Sequence, residues 1–175
     1  MTGRKETTFI LNNTLIQIVK LLNDNNINDW FICYGTLLGL IRENNCIDRD
    51  DDIDIIIHKS KYNIVKDVLI TNNFTLMPKY INCENILKTN PIDNKYSSID
   101  IYMSDYGETH VFDLWNKLKI TDCFLDTEHK TFCEMQWNGH TLYIPNNPVK
   151  ILENRYGKDW RIKKDKKIPQ RMTSL

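Results

Sequence analysis

Five carboxylates fall within the seven residues Asp48-Arg49-Asp50-Asp51-Asp52-Ile53-Asp54, and that run leads straight into Ile55-Ile56-Ile57. Like charges a few ångströms apart repel and raise one another's pKa unless a cation neutralises them, and hard divalent ions such as Mg²⁺ or Mn²⁺ take carboxylate oxygens in that role. A solvated acidic loop would need no such ion. Here the apolar context favours the ion: Asp52 and Asp54 alternate about Ile53, so on a strand they share one face and reach one ion site together. In Ser98-Ile99-Asp100-Ile101-Tyr102 a further acid sits among apolar residues, where burial without a cation or hydrogen bonds is costly. Its alternative is an acid on the solvent side of a strand. If the two strands are neighbours, Asp100 completes a three-carboxylate set with Asp52 and Asp54 and can accept a proton from an attacking hydroxyl. Asp50, Asp52, Asp54 and Asp100 are therefore the candidate metal ligands, and Asp52, Asp54 and Asp100 the candidate catalytic residues.

Gly35-Thr36 falls between a short apolar strand, residues 30–34, and a helical pattern over 37–43. Backbone amides at such a junction favour phosphate, and glycine permits close approach, although many strand-to-helix turns use glycine with no ligand. Arg42 and Arg49 flank the region as candidate diphosphate contacts; the alternative is that they balance the acidic run.

These groups require a frame. Apolar spacing predicts helices over residues 9–22 and 62–71, and strands over 53–57, 74–80 and 98–103. The Asn-rich, Pro91-containing stretch 82–95 reads as irregular. Asn138-Gly139 between the apolar runs 133–137 and 140–144 predicts a hairpin. Pro148 opens a helix that Gly157 closes at residue 156. The expected architecture is α/β (α+β), a mixed sheet flanked by helices, in one domain spanning 1–175 with a basic tail over about 161–175.

Composition narrows the partners. Lys plus Arg and Asp plus Glu each total 23, a balance that speaks against a duplex-binding surface. No apolar stretch approaches the roughly 18–20 residues of a membrane span, and the N-terminus reads as no signal peptide, so the expected location is cytoplasmic. Asn occurs 20 times and Ala never, a bias that fits an AT-rich genome; for a viral source the location would be the host cytoplasm. Five cysteines with no CxxC pair favour reduced, buried thiols over disulfides or zinc. The four histidines have no ligand spacing. Cys33 reads as packing, and Trp115, Trp137 and Trp160 read as core residues before sugar- or base-stacking ones.

Tyr34-Gly35-Thr36-Leu37-Leu38-Gly39-Leu40-Ile41-Arg42-Glu43, then Ile47 and Asp50-Asp51-Asp52-Ile53-Asp54-Ile55, resemble the LicD/fukutin family of the DNA polymerase beta-like nucleotidyltransferase superfamily. Trp137-Asn138-Gly139, Tyr143-Ile144-Pro145 and Leu152-Glu153-Asn154-Arg155-Tyr156-Gly157-Lys158-Asp159-Trp160 are similar to the family's closing pattern. The family commonly carries Pro-Trp before the acidic run, where this chain has Asp48-Arg49. The resemblance implies a nucleotidyltransferase-like fold and transfer of a phosphorylated alcohol, such as phosphocholine or ribitol phosphate, from a CDP-linked donor to a sugar hydroxyl of a glycan, with release of CMP. It implies that Asp52 and Asp54 hold Mg²⁺ or Mn²⁺ against the donor diphosphate, with Asp50 assisting. Asp100 would bind metal and activate the acceptor, and Gly35 and Thr36 would cradle phosphate. Two other readings stay open: nucleotidyl transfer from a nucleoside triphosphate with pyrophosphate release, and a non-catalytic nucleotide-binding module.

Overall fold

A computed structural model describes residues 7–163; residues 164–175, most of the expected basic tail, lie outside the described residues. Helix α1 (Thr8–Asp24) buries Leu11, Leu15, Ile18, Val19 and Leu22, the one-sided spacing that a helix needs to cover a sheet. Strand β1 (Trp30–Ile32) leads through extended Cys33 into α2 (Tyr34–Glu43), which stops where Asn44 takes a left-handed conformation and donates its N–H to the Leu40 carbonyl. Strand β2 (Asp52–His58) follows, then α3 (Tyr62–Thr71), β3 (Ile86–Lys88), β4 (Ser98–Tyr106), β5 (His110–Asp113) and β6 (Leu118–Thr121). A hairpin of β7 (Cys133–Trp137) and β8 (His140–Ile144) turns at Asn138-Gly139, both at positive φ. Helix α4 (Pro148–Tyr156) closes the fold, its first turn capped by the Asn147 side chain.

The main sheet runs β1-β2-β4-β5-β6, with β3 also paired to β4. Strands β2 and β4 are parallel, joined by a crossover containing α3, while every other pair is antiparallel. The nine residues of β4 let it pair with β2 along one side and, on the other, with β3 at Asp100–Tyr102 and β5 at Ser104–Tyr106. Alternation then sorts the side chains. Ile53, Ile55, Ile57, Ile99, Ile101 and Met103 enter the larger core with α1 and α2. Ile56, Tyr102 and Ile86 face the other way, into a smaller aromatic core around Phe31, Phe124 and Phe132. Asp52, Asp54, Asp100 and Lys88 share the strand parity of that second face. No described helix is long and apolar enough to cross a membrane.

Two of the expected elements differ. Residues 74–80 are not a strand: only Leu76 bridges to Thr89, and Pro78, which has no N–H to give a ladder, opens a 3₁₀ turn. Within the stretch expected to be irregular, β3 pairs with β4 over three residues. Cys33, Cys46 and Cys123 are buried, and all five thiols are free.

Helix α2 sits so close to the loop after it that a Cβ on Gly39 would lie 2.5 Å from the Asn45 carbonyl oxygen and 2.9 Å from the Ile47 nitrogen. Both atoms are backbone and cannot swing away. Gly39→Ala, usually a gain inside a helix, is therefore expected to destabilise the protein by about 1–3 kcal/mol in urea denaturation. Unchanged stability would contradict this packing.

Candidate active site

Register places the acids. Asp54 of β2 lies directly opposite Asp100 of β4, and Asp100 directly opposite Lys88 of β3, so the three form a row across the sheet. Carboxylate oxygens of Asp52, Asp54 and Asp100 all lie within 4.8 Å of one another. Asp50 and Asp51 join Asp52 in a second, more open cluster of the same spread.

Asp54, only 6% exposed, is held on every side. Its backbone N–H donates to Thr36 Oγ1 (2.9 Å) and its carbonyl accepts from the Cys33 N–H (3.2 Å). Its Oδ2 accepts from the Gly35 N–H (3.0 Å) and its Oδ1 from the Tyr102 hydroxyl (3.0 Å). The first-turn amides of a helix have no partner within the helix, and the α2 dipole favours the negative charge placed there. A Cβ on Gly35 would stand 2.6 Å from Asp50 Oδ2 and 3.3 Å from Asp54 Oδ2, so only glycine admits both acids. Asp100 receives a hydrogen bond from Lys88 Nζ and lies 3.4 Å from the Tyr102 hydroxyl, whose one proton is shared with the nearer Asp54. Both reach Oδ2; Oδ1 receives none from the described residues.

Charge crowding shows in proton affinity. Burial, then the charges of Asp54, Asp100, Asp50 and Asp51, push Asp52 up to about 9. Burial, then Asp50 and Asp100, push Asp54 up to about 7 against the pull of its Tyr102 and Gly35 hydrogen bonds. Asp100 is also raised, chiefly by burial, although Lys88 and Tyr102 oppose the shift. Burial disfavours the Lys88 ammonium, but its Asp100 hydrogen bond and the nearby acids outweigh that and hold its pKa above the ordinary value. Three carboxylates, Asp54 and Asp100 buried and Asp52 half-buried, make a donor set that could hold a hard divalent cation.

Beside the acids stands an aromatic and polar support. Tyr34 lies edge-on to Tyr102 at 5.1 Å and donates its hydroxyl to Asp113 Oδ2. Asp113, fully buried, also caps the turn that follows through the Trp115 and Asn116 amides. The Arg155 guanidinium lies 3.9 Å over the Tyr34 ring.

The structure thus brings Asp52, Asp54 and Asp100 together, with Asp50 adjoining, and puts Gly35 and Thr36 beside them. The Gly35 N–H donates to the Asp54 carboxylate and the buried Thr36 Oγ1 accepts from the Asp54 N–H, so both residues position Asp54, beside the phosphate role expected of them. The described partners of the two arginines are groups other than Asp52, Asp54 and Asp100, and Arg49 pairs within the acidic run, as its alternative reading expects. Arg42 grips Glu43 (2.6 Å) and the Trp160 carbonyl (3.3 Å), tying the C-terminal segment to α2. Arg49, well exposed, pairs with Asp48 at 3.8 Å. Trp137 and Trp160 are core residues, whereas Trp115 is 37% exposed. Sequence reasoning missed Lys88, Tyr102 and Asp113; Tyr102 alone carried a signal, two residues beyond Asp100 and hence on its face.

Residues 27–147 match the family described as LicD/FKTN/FKRP, nucleotidyltransferase domain, and the chain belongs to that family. The family is one of transferases of the nucleotidyltransferase kind. The chain is 27% identical over 156 residues to the uncharacterized protein RP689 of Rickettsia prowazekii (strain Madrid E), covering 82% of this chain and about half, 54%, of that protein's length. Among solved structures it is similar to the lincosamide antibiotic adenylyltransferase LnuA bound to lincomycin, with a TM-score of 0.58 and 11% identity. That likeness covers 82% of this chain and 85% of the other, and it bears out the nucleotidyltransferase-like α/β fold.

Asp52 and Asp54 keep their protons to higher pH in the folded chain than in the unfolded one. Between about pH 4 and pH 9 unfolding therefore releases protons, and the cation-free fold loses stability as pH rises through that window. In EDTA at pH 8, Asp52→Asn is expected to melt above the wild type by about 2–4 °C, and Mn²⁺ is expected to raise the melting temperature of the wild type more than that of the variant. A variant that melts lower in EDTA would contradict the crowding.

Proposed function

We propose that the protein is a metal-dependent transferase that moves a phosphorylated alcohol, of the phosphocholine or ribitol phosphate kind, from a CDP-linked donor to a sugar hydroxyl of a glycan. The observation that carries this reading is the cross-strand alignment of Asp54 with Asp100, with Asp52 beside them, in a chain of the LicD family. In the reaction the acceptor oxygen forms a bond to the phosphorus that bears the alcohol, the bond from that phosphorus to the CMP oxygen breaks, and CMP leaves with the electron pair. Mg²⁺ or Mn²⁺ on Asp52, Asp54 and Asp100, assisted by Asp50, would supply charge neutralisation to the diphosphate. Asp100 Oδ1, which no described residue engages, is the atom left to face that cation or to take the acceptor's proton. Tyr102 and Gly35 hold Asp54 in place, and Thr36 holds the strand that carries it.

Nucleotidyl transfer is the second reading, and the structural likeness to an adenylyltransferase favours it. There the acceptor attacks the α-phosphorus of a nucleoside triphosphate and pyrophosphate leaves. Incubating the protein with CDP-choline, CDP-ribitol or ATP, a mixed sugar acceptor and Mn²⁺ separates the two by the product released. CMP is the expected product. Pyrophosphate would replace the first reading with the second, and the absence of both with every donor would count against catalysis. Asp52→Asn is expected to lower turnover by about 10²–10³-fold while its circular dichroism stays that of the wild type; full turnover in that variant would refute the assignment.

A further inference from the structure

Given the reading that Asp52, Asp54 and Asp100 hold a divalent cation, we propose that Lys88 takes the place of a second one, so that its ammonium on Asp100 limits the centre to one divalent ion per chain. Backbone pairing puts Lys88 there: Ile86, Leu87 and Lys88 lie opposite Tyr102, Ile101 and Asp100. Its side chain is 19% exposed and that of Asp100 3%, so the ion pair is largely shielded from solvent. On its other side the ammonium lies 5.4 Å over the Tyr80 ring, which meets Trp115 edge-on at 5.7 Å. The ammonium is thus fixed by a strand, a carboxylate and an aromatic ring, unlike a lysine moving in solvent.

Charge makes the same point. Ionised around a cation, Asp52, Asp54 and Asp100 carry three negative charges, which one divalent ion and the Lys88 ammonium cancel; Asp50 and Asp51 stand in the more open neighbouring cluster. A second divalent ion would have to share Asp100 with a cation a few ångströms away, in a largely shielded setting that screens repulsion poorly, or share Asp52 with the first ion through the more open Asp50–Asp51–Asp52 cluster, against the same repulsion. Lys88 and Tyr102 both occupy Oδ2, so an ion bridging through that oxygen would first have to displace the ammonium. Lys88 is on this account a positioning residue, holding Asp100 and supplying a charge that needs no metal from solution.

The test is a Mn²⁺ titration of the full chain without nucleotide, with free Mn²⁺ read by electron paramagnetic resonance. One ion per chain is expected for the wild type and for Lys88→Arg, which keeps the charge. For Lys88→Met, which keeps the stem and removes the charge, either a second ion or a hold tighter by about tenfold or more is expected. Two ions in the wild type, or a Lys88→Met variant with the wild-type count and affinity, would overturn the proposal and leave the cation site intact. No Mn²⁺ bound by the wild type would instead refute the cation reading on which the proposal rests. If circular dichroism shows Lys88→Met unfolded, the wild-type count decides alone.

Discussion

Repulsion among Asp52, Asp54 and Asp100 is the constraint around which the fold is arranged. Three acids within 4.8 Å on a largely buried sheet face oppose folding, and the neighbouring structure offsets part of that cost with positive or hydrogen-donating groups. The start of α2 gives the Gly35 amide, β4 gives the Tyr102 hydroxyl and β3 gives the Lys88 ammonium. These groups reduce the crowding without abolishing it, since Asp52 and Asp54 still hold their protons far above the usual carboxylate range. Stability is sacrificed at a cluster of carboxylates that could hold a metal ion.

Apart from the Gly35 amide, the links in that arrangement pass through β4. Its parallel register with β2 aligns Asp54 with Asp100, its antiparallel register with β3 brings Lys88, and its later residues carry β5, which delivers buried Asp113 to the hydroxyl of Tyr34. A shift of one residue would turn Asp100 into the aliphatic core and Ile101 toward the acids. The Ile-rich alternation of β2 and β4 secures the register, because Ile53, Ile55, Ile57, Ile99 and Ile101 are all fully buried on the opposite face. The aliphatic core thus fixes the geometry of the polar site.

Much of this was legible in the residues. Period-two alternation put Asp52 and Asp54 on one face and isolated Asp100 among apolar neighbours. Asn138-Gly139 marked the hairpin, and Pro148 and Gly157 bounded the last helix, because turn and cap chemistry is local. What stayed hidden depends on distant partners. Ile86-Leu87-Lys88 has no strand signal of its own among Asn residues and near Pro91, and it is a strand only because β4 has an unpaired edge there. Lys88 was hidden with it. Gly35-Thr36 reads as a phosphate turn because a sequence shows a helix start and not what lies against it; that the Gly35 N–H also meets the carboxylate of Asp54 is visible only in the fold. Arg42 reads as a diphosphate contact or a counter-charge to the acidic run for the same reason, with Trp160 and Glu43 as its partners only in the folded chain.

The central claim, that these carboxylates hold a divalent ion which in turn binds a nucleotide donor, is tested most directly by calorimetric titration. Purified protein would be titrated with CDP-choline, CDP-ribitol, CTP, UTP and ATP, each with Mn²⁺ and with EDTA. The account predicts binding of a CDP-alcohol that requires the metal and disappears in Asp54→Asn. Binding that is equally tight in EDTA, or that survives the loss of Asp54, would contradict it.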